Sequence, residues 1–358
     1  MDPETLITCK DVDRLAAMIV EHLNSGAALG TAGDHAGRRL DADETNMLAL
    51  ALEQFRTKVY EADYPELRAR KVLSTASDID TGAESFAYEE TDEVGLAKVI
   101  TNWSAPLPGV ETHGQKRTQG IVSIGTGYTY TIQDLRRAAF SGRPLEARKA
   151  VAARRAFERK IDELAAIGGE TTAGISKGIC NRTIGTTVDT VRETAMTTAD
   201  WDATPVAATM LADLQKLVAE YVVDGKELYE PRKLIMPTIH YLRAAHTMFT
   251  DGAPESVLER FAKNNGFITR QNIMPWNKLL GVAGSGASDA TPNGGTESRF
   301  LLMSDDPDVA ELVIPQEFEV FGPQPVNLAF QVACHGRTAG TVIYRPLGLR
   351  YGTGLGVA

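Results

Sequence analysis

The stretch from Ser141 to Gly168 constrains this chain more than any other. Ser141 is a good N-cap, Pro144 suits a first turn and Gly168-Gly169 is a stop signal, so the spacing predicts one long helix. About 24 strong helix formers rising 1.5 Å each give a rod of roughly 36 Å. Ala150, Ala153, Phe157, Ile161 and Leu164 recur at intervals of three and four, a narrow apolar stripe. The other faces carry Arg143, Arg148, Lys149, Arg154, Arg155, Arg159 and Lys160 against Glu146 and Glu158, in a chain whose net charge is −10. Small alanines on the stripe let another backbone come close, so the helix reads as a beam laid across a sheet. Its basic flank has two readings: a solvated face with intrahelical Glu–Arg pairs, or a contact for a polyanion or an acidic neighbouring subunit.

Ahead of this helix the character is β. Phe86 and Tyr88 alternate with Ser85, Ala87 and Glu89, and Val122, Ile124, Tyr128, Tyr130 and Ile132 occupy even positions in a sustained period of two. Between them, Thr101–Gly114 holds Pro106, Pro108, Gly109 and Gly114, which do not suit a ladder interior. The simplest geometry is a long two-stranded ribbon with an irregular tip, and an isolated ribbon is only marginally stable in water. Residues 1–70 read as two helices, the first with Val12, Leu15, Ala16, Ile19 and Leu23 on one face, joined through a glycine-spotted segment. Helices joined so loosely cannot make a core of their own. Arm and ribbon both need a surface supplied from elsewhere.

After the long helix, residues 170–202 read as loop and short strands. Thr204-Pro205 then signals a helix start before the stripe Met210, Leu211, Leu214, Leu217, Val218 and Tyr221. Lys233–Pro237 reads as a buried strand, Thr238 as the cap of the next helix, Pro254 as the opening of another, and 281–296 as a surface loop. At the end, Val326, Leu328, Phe330, Val332 and Cys334 alternate inward, Gly336–Gly340 reads as a turn and Thr341–Arg345 as the return strand of a hairpin.

The chemistry-bearing residues are sparse. Cys9, Cys180 and Cys334 form no metal-spaced pair and read as free buried thiols in a reducing compartment. His240 and His246 lie on different sides of one helix, Gly284-Ser-Gly286 lacks the ending of a phosphate loop, and Asp305-Asp306-Pro-Asp308 reads as a solvated turn. No catalytic, cofactor or metal site is expected. The first residues lack a signal-peptide pattern, no run is apolar enough to span a membrane, and the acidic balance argues against a general nucleic-acid coat.

The order of arm, ribbon, long helix, α/β unit and returning strands resembles the major capsid proteins of tailed bacteriophages, the Hong Kong 97-type fold shared with encapsulin shells. The phrases TGAESFAYEETDEVGLAKVI at 81–100, PLEARKAVAARRAFERKIDELAAIG from Pro144, LIMPTIHYLRAA at 234–245, DPDVAELVIPQEFEVFGPQ at 306–324 and HGRTAGTVIYRPLGLRY at 335–351 are similar to one phage branch of that family. The resemblance implies an α+β fold with an N-terminal arm at 1–70, an extended β-ribbon loop with flanking strands at 71–132, and peripheral-domain helices including the spine at 133–169. It further implies a mostly axial domain at 170–325 and C-terminal strands at 326–358 returning to the peripheral domain.

The implied role is a non-enzymatic subunit that self-assembles as pentamers and hexamers into an icosahedral head around double-stranded DNA, without sequence-specific binding. The implied location is the virion, after assembly in the host bacterial cytoplasm. A portal is an implied partner, as are a decoration protein and a separate scaffold or none, the arm being too short for a cleaved scaffold domain. A covalent cross-link through Lys98 or Lys116 is not expected. At the ribbon tip, Trp103, Leu107 and Val110 are expected to dock on a neighbour, while Arg148, Arg155 and Arg159 on the spine pair with acidic residues of adjacent subunits. An encapsulin-like compartment with protein cargo and a soluble α/β enzyme are the competing readings.

Overall fold

A computed structural model of the chain describes residues 66–95, 109–141, 145–170, 174–186, 190–197, 201, 205–249, 254–283 and 295–356. The expected arm helices and most of the 281–296 loop lie outside these residues. The described chain opens with a single helical turn, α1 (Ala69–Val72), and a short strand, β1 (Ser74–Ala76). Next come β2 (Ser85–Gly95), β3 (Val110–Gly120) and β4 (Val122–Thr131). Two helices follow, α2 (Ile132–Ser141) and α3 (Leu145–Ala166).

The ribbon exists, and Phe86 and Tyr88 lie in one of its strands, but the other is not the strand the alternation picks out. β2 pairs with β3 in antiparallel register from Ser85↔Gly120 to Gly95↔Val110. The alternating strand β4 instead pairs along its whole length with β14 (Ala329–Thr338), from Thr131↔Ala329 to Val122↔Thr338. The other edge of β14 holds β12 (Gln316–Val320) and β13 (Gln324–Val326) end to end. On one face of this sheet lies α3. Its expected stripe is buried at Ala153, Phe157, Ile161 and Leu164, with Ala153 among Tyr130, Val332 and Cys334. Gly336 is required here, because a Cβ at that position would overlap the Phe157 ring.

Ser141 ends α2 rather than capping α3, and residues 142–144 lie outside the described set. The start of α2 forms a capping box, with Asp134 N–H donating to Thr131 Oγ1 (3.1 Å) and Thr131 N–H to Asp134 Oδ2 (3.2 Å). Past α3, Gly168 and Gly169 adopt φ of 81° and 104°, the left-handed region that stops a helix, and the chain turns into a small hairpin of β5 (Gly168–Glu170) and β6 (Ile175–Lys177).

The second layered unit is a five-stranded sheet in the order β7–β16–β10–β8–β9. Its strands are β7 (Arg192–Ala195), β8 (Lys233–Met236), β9 (Ile273–Pro275), β10 (Glu297–Met303) and β16 (Leu349–Gly356). The helices α4 (Ala207–Asp224), α5 (Thr238–His246) and α6 (Val257–Asn264) pack with it around Leu214, Leu217, Met236, Phe261, Phe300 and Leu302. Helix starts fall a little off the sequence signals. α4 begins at Ala207 with Val206 as its N-cap, Thr238 is the first residue of α5 rather than its cap, and Ser256 with Glu259 makes a capping box for α6.

Two C-terminal expectations are corrected. Gly336–Gly340 is no hairpin turn: β14 runs on to Thr338, and Gly340, at φ 67°, swings the chain into a third sheet, where β15 (Gly340–Ile343) pairs with β11 (Ala310–Val313). Val326 and Leu328 are exposed rather than inward, because the covered face of β14 begins only near Phe330 and Val332. The expected return of 326–358 to the spine helix also divides. β14 packs with α3, whereas β16 lies inside the five-stranded sheet.

Candidate intersubunit surfaces

The ribbon has a seated root and a bare distal half. At the root, the Tyr88 and Tyr344 rings meet edge-on at 4.9 Å, Gln119 Nε2 donates to the Ala339 carbonyl (3.3 Å), and Arg117 pairs with Glu90 (2.8 Å). Phe86, Ala76 and Ile79 join a small cluster there with Ile121, Val313 and Val342. From Val110 to Lys116, in contrast, every residue of β3 is exposed, Val110 to 72%. Trp103 and Leu107 lie outside the described residues, so of the three expected tip anchors only Val110 is seen.

A cleft of about 820 Å³ lies between the ribbon just past this root and the body; Glu89, Glu90, Asp308 and Glu311 are among its lining. Burial pushes the Glu311 carboxyl up, with nearby Asp78 and Asp308 adding to the effect, and Tyr344, whose hydroxyl donates to Glu311 (3.4 Å), is pushed up to about 12 by burial.

Arg148, Arg155 and Arg159 are all exposed on α3. Steps of seven and four residues bring them back to one helical face. They are thus assembled into one stripe, away from the buried one. Lysines of the same helix also make contacts within the subunit. Lys149 Nζ donates to the Thr129 carbonyl (2.6 Å), and Lys160 pairs with Glu170 (3.4 Å).

Several structural anchors escaped the sequence reading. Asp162, buried on α3, accepts the backbone N–H groups of Arg68 (3.0 Å) and Ala69 (2.9 Å), tying the chain entering from the N-terminal segment to the spine. Arg70 bridges Glu158 (3.0 Å) and Glu317 (2.8 Å), which holds both the spine and β12 to that entry point. Arg350, buried on β16, donates to Thr194 Oγ1 (2.5 Å), Asp224 (2.6 Å), Glu220 (2.5 Å) and the Glu193 carbonyl (2.9 Å), knitting β7 and α4 to β16. Only an acid at a core-facing helical position, Asp162 beside Ile161 and Leu164, was a usable sequence signal.

The histidines part as the spacing predicts. His240 is buried against Trp201 and Phe300, its Nε2 3.1 Å from the Gly356 carbonyl, and His246 is exposed. Burial pushes the thiols of Cys180 and Cys334 up, away from reactivity. Among the described residues no group of three or more His, Cys, Asp or Glu side chains could hold a metal ion, and no helix is long and apolar enough to cross a membrane.

Comparison with known proteins gives the class of this plan of ribbon, spine helix and two sheet units. The major capsid protein family matches residues 95–355, and the chain belongs to that family. The capsid of Myoviridae phage XM1 is similar over 86% of this chain and 98% of its own, with 19% identity and a TM-score of 0.70. The capsid of a native GTA particle covers 89% of this chain and 99% of its own at 14% identity and a TM-score of 0.58. Mycobacterium phage Bobi gives 87% and 97% coverage at 11% identity and a TM-score of 0.55. The fold is therefore the Hong Kong 97-like capsid fold, and the protein is a capsid structural protein. No curated protein matches the chain.

Proposed function

We propose that this major capsid protein closes, through pentamers and hexamers of itself, into an icosahedral head that encloses double-stranded DNA without reading its sequence. The observation that carries this reading is the ribbon, whose distal half pairs its backbone completely yet lies against no surface among the described residues. A two-stranded ribbon gains stability only when a face is covered. A neighbouring copy supplies that cover, with Trp103, Leu107 and Val110 docking at the tip. The ribbon sequence is rich in acids (Glu89, Glu90, Asp92, Glu93 and Glu111), and the Arg148, Arg155 and Arg159 stripe of an adjacent copy is its electrostatic complement.

In this reading residues 1–70 form the arm, 71–132 the extended loop and 133–169 the spine of the peripheral domain, joined by β14. Residues 170–325 are mostly axial, and β16 is grouped with them. A portal and a decoration protein are partners of the shell, and a separate scaffold, where one is used, acts on the subunits during assembly. Assembly takes place in the host bacterial cytoplasm. The role is mechanical and calls for no catalytic residue.

Negative-stain electron microscopy with light scattering tests the proposal on the chain expressed alone and with a candidate scaffold from the same genome. Closed shells, or rings of five and six, are expected. A uniform monomer or dimer under both conditions would overturn it.

A further inference from the structure

The connection that leads from α4 to β8 carries a feature that ribbon and spine do not explain. α4 ends in a Schellman turn: the Glu227 N–H donates to the Val222 carbonyl (3.0 Å) and the Lys226 N–H to the Val223 carbonyl (3.1 Å). Such a turn needs a left-handed residue just past the cap, a place that suits glycine. Here the glycine, Gly225, comes one residue early and is the cap itself, at φ −73°. Lys226 takes the left-handed place at φ 50°, and Glu227 follows at φ 58°. Two successive residues with side chains in that region are strained, and strain of this kind collects at functional sites.

The side chains this turn presents stand open. Lys226 and Glu227 are both exposed, and neither forms an ion pair among the described residues. Neighbouring charges of the same connection do pair, Asp224 with Arg192 (3.3 Å) and Glu230 with Arg232. Val223, in the last turn of α4, is 73% exposed, and Leu228 is 66% exposed. The turn thus shows two large apolar side chains beside one unpaired cation and one unpaired anion.

We propose that this turn meets the same turn of a second copy across a two-fold axis, with Lys226 of each copy pairing with Glu227 of the other. Adjacent opposite charges are self-complementary under a two-fold rotation, and Val223 and Leu228 supply apolar cover beside them. Exposed ion pairs add little each, so the charges fix the register of the contact and reject wrong ones rather than supply its affinity. One turn buries far less than the ~1,000 Å² a free-standing interface needs. It works as one contact among many in a closed shell, whose symmetry includes two-fold axes. This rests on the shell reading above.

The test exchanges charges in the full chain. Lys226→Glu leaves the turn with two anions, and Glu227→Lys leaves it with two cations. Each variant alone should keep the unfolding midpoint of the free subunit and lose assembled yield several-fold at low salt, where repulsion is least screened. Mixing the two variants, or combining both substitutions in one chain, should restore most of the yield. In parent particles, zero-length carbodiimide coupling should join Lys226 to Glu227 as a cross-linked pair of identical peptides, which only two chains can give. Absence of that pair, undiminished particles from either single variant, or no recovery on mixing would overturn this inference and leave the shell reading standing. Absence of particles from the parent chain under every condition would remove the shell reading, and this inference with it.

Discussion

Two ladders in this subunit are nearly equal in backbone pairing and opposite in circumstance. β2 with β3 and β4 with β14 are both long, continuous antiparallel pairings. The second carries α3 on one face and buries Tyr130, Val332 and Cys334 beneath it. Among the described residues the first is seated at its root, by Tyr88 and Gln119, and beyond that β3 is exposed on both faces. Backbone hydrogen bonds exchange water for protein partners at little net gain, so burial of a face decides whether a ladder stands alone. One ladder belongs to the subunit; the other is completed by the lattice.

The comparison breaks most visibly on the covered side. Phe157→Ala removes the ring that fills the space over Gly336 and packs on Phe318 at 5.2 Å. The expected loss is about 3–5 kcal/mol, read as a fall in the denaturant midpoint. Arg350→Met comes next. It strands Glu220 and Asp224, but both carboxylates are partly solvated, so the expected cost is about 2–4 kcal/mol, below that of a fully buried pair.

The same pair has a pH signature. The hydrogen bond from Arg350 holds the Asp224 carboxyl below the usual carboxylate range. A depressed folded value means the contribution is full above the unfolded value, about 3.9, and is lost as pH falls through the folded one. Parent stability should therefore drop over that acidic window, and Arg350→Met should flatten the drop.

On the uncovered side the expected effects on the free subunit are small. Val110→Asp should change its stability by less than ~0.5 kcal/mol while sharply lowering assembled yield by light scattering. Arg155→Glu should leave the free subunit folded and weaken assembly most at low salt, where exposed charges are least screened. Intact assembly of that variant at low salt would count against the spine stripe as a contact.

The same contrast explains what was legible in the sequence. α3 and β4 announce themselves because one face of each is buried in the subunit, which imposes periods of three-to-four and of two. β3, Val-Glu-Thr-His-Gly-Gln-Lys-Arg-Thr-Gln-Gly, shows no alternation because most of its length is uncovered, and its first five residues fall within the stretch that reads as an irregular tip. Gly336 and Gly340 looked like a turn, but one makes room for an aromatic ring and the other switches sheets. Alternation at Val326 and Leu328 overran the covered part of the sheet. Arg350 and Arg70 gave no local signal, since most of the groups they hold lie 88 to 247 residues away. Arg148, Arg155 and Arg159 lie exposed along α3 on one face, a position that follows from helical geometry without any tertiary information.

Hydrogen exchange of the ribbon amides, measured on assembled particles and on dissociated subunits, tests the central claim most directly. The account predicts that 85–95 and 110–120 exchange far faster than 122–131 in the free subunit and approach its protection in the particle. Equal protection of the two ladders in the free subunit, unchanged on assembly, would contradict it.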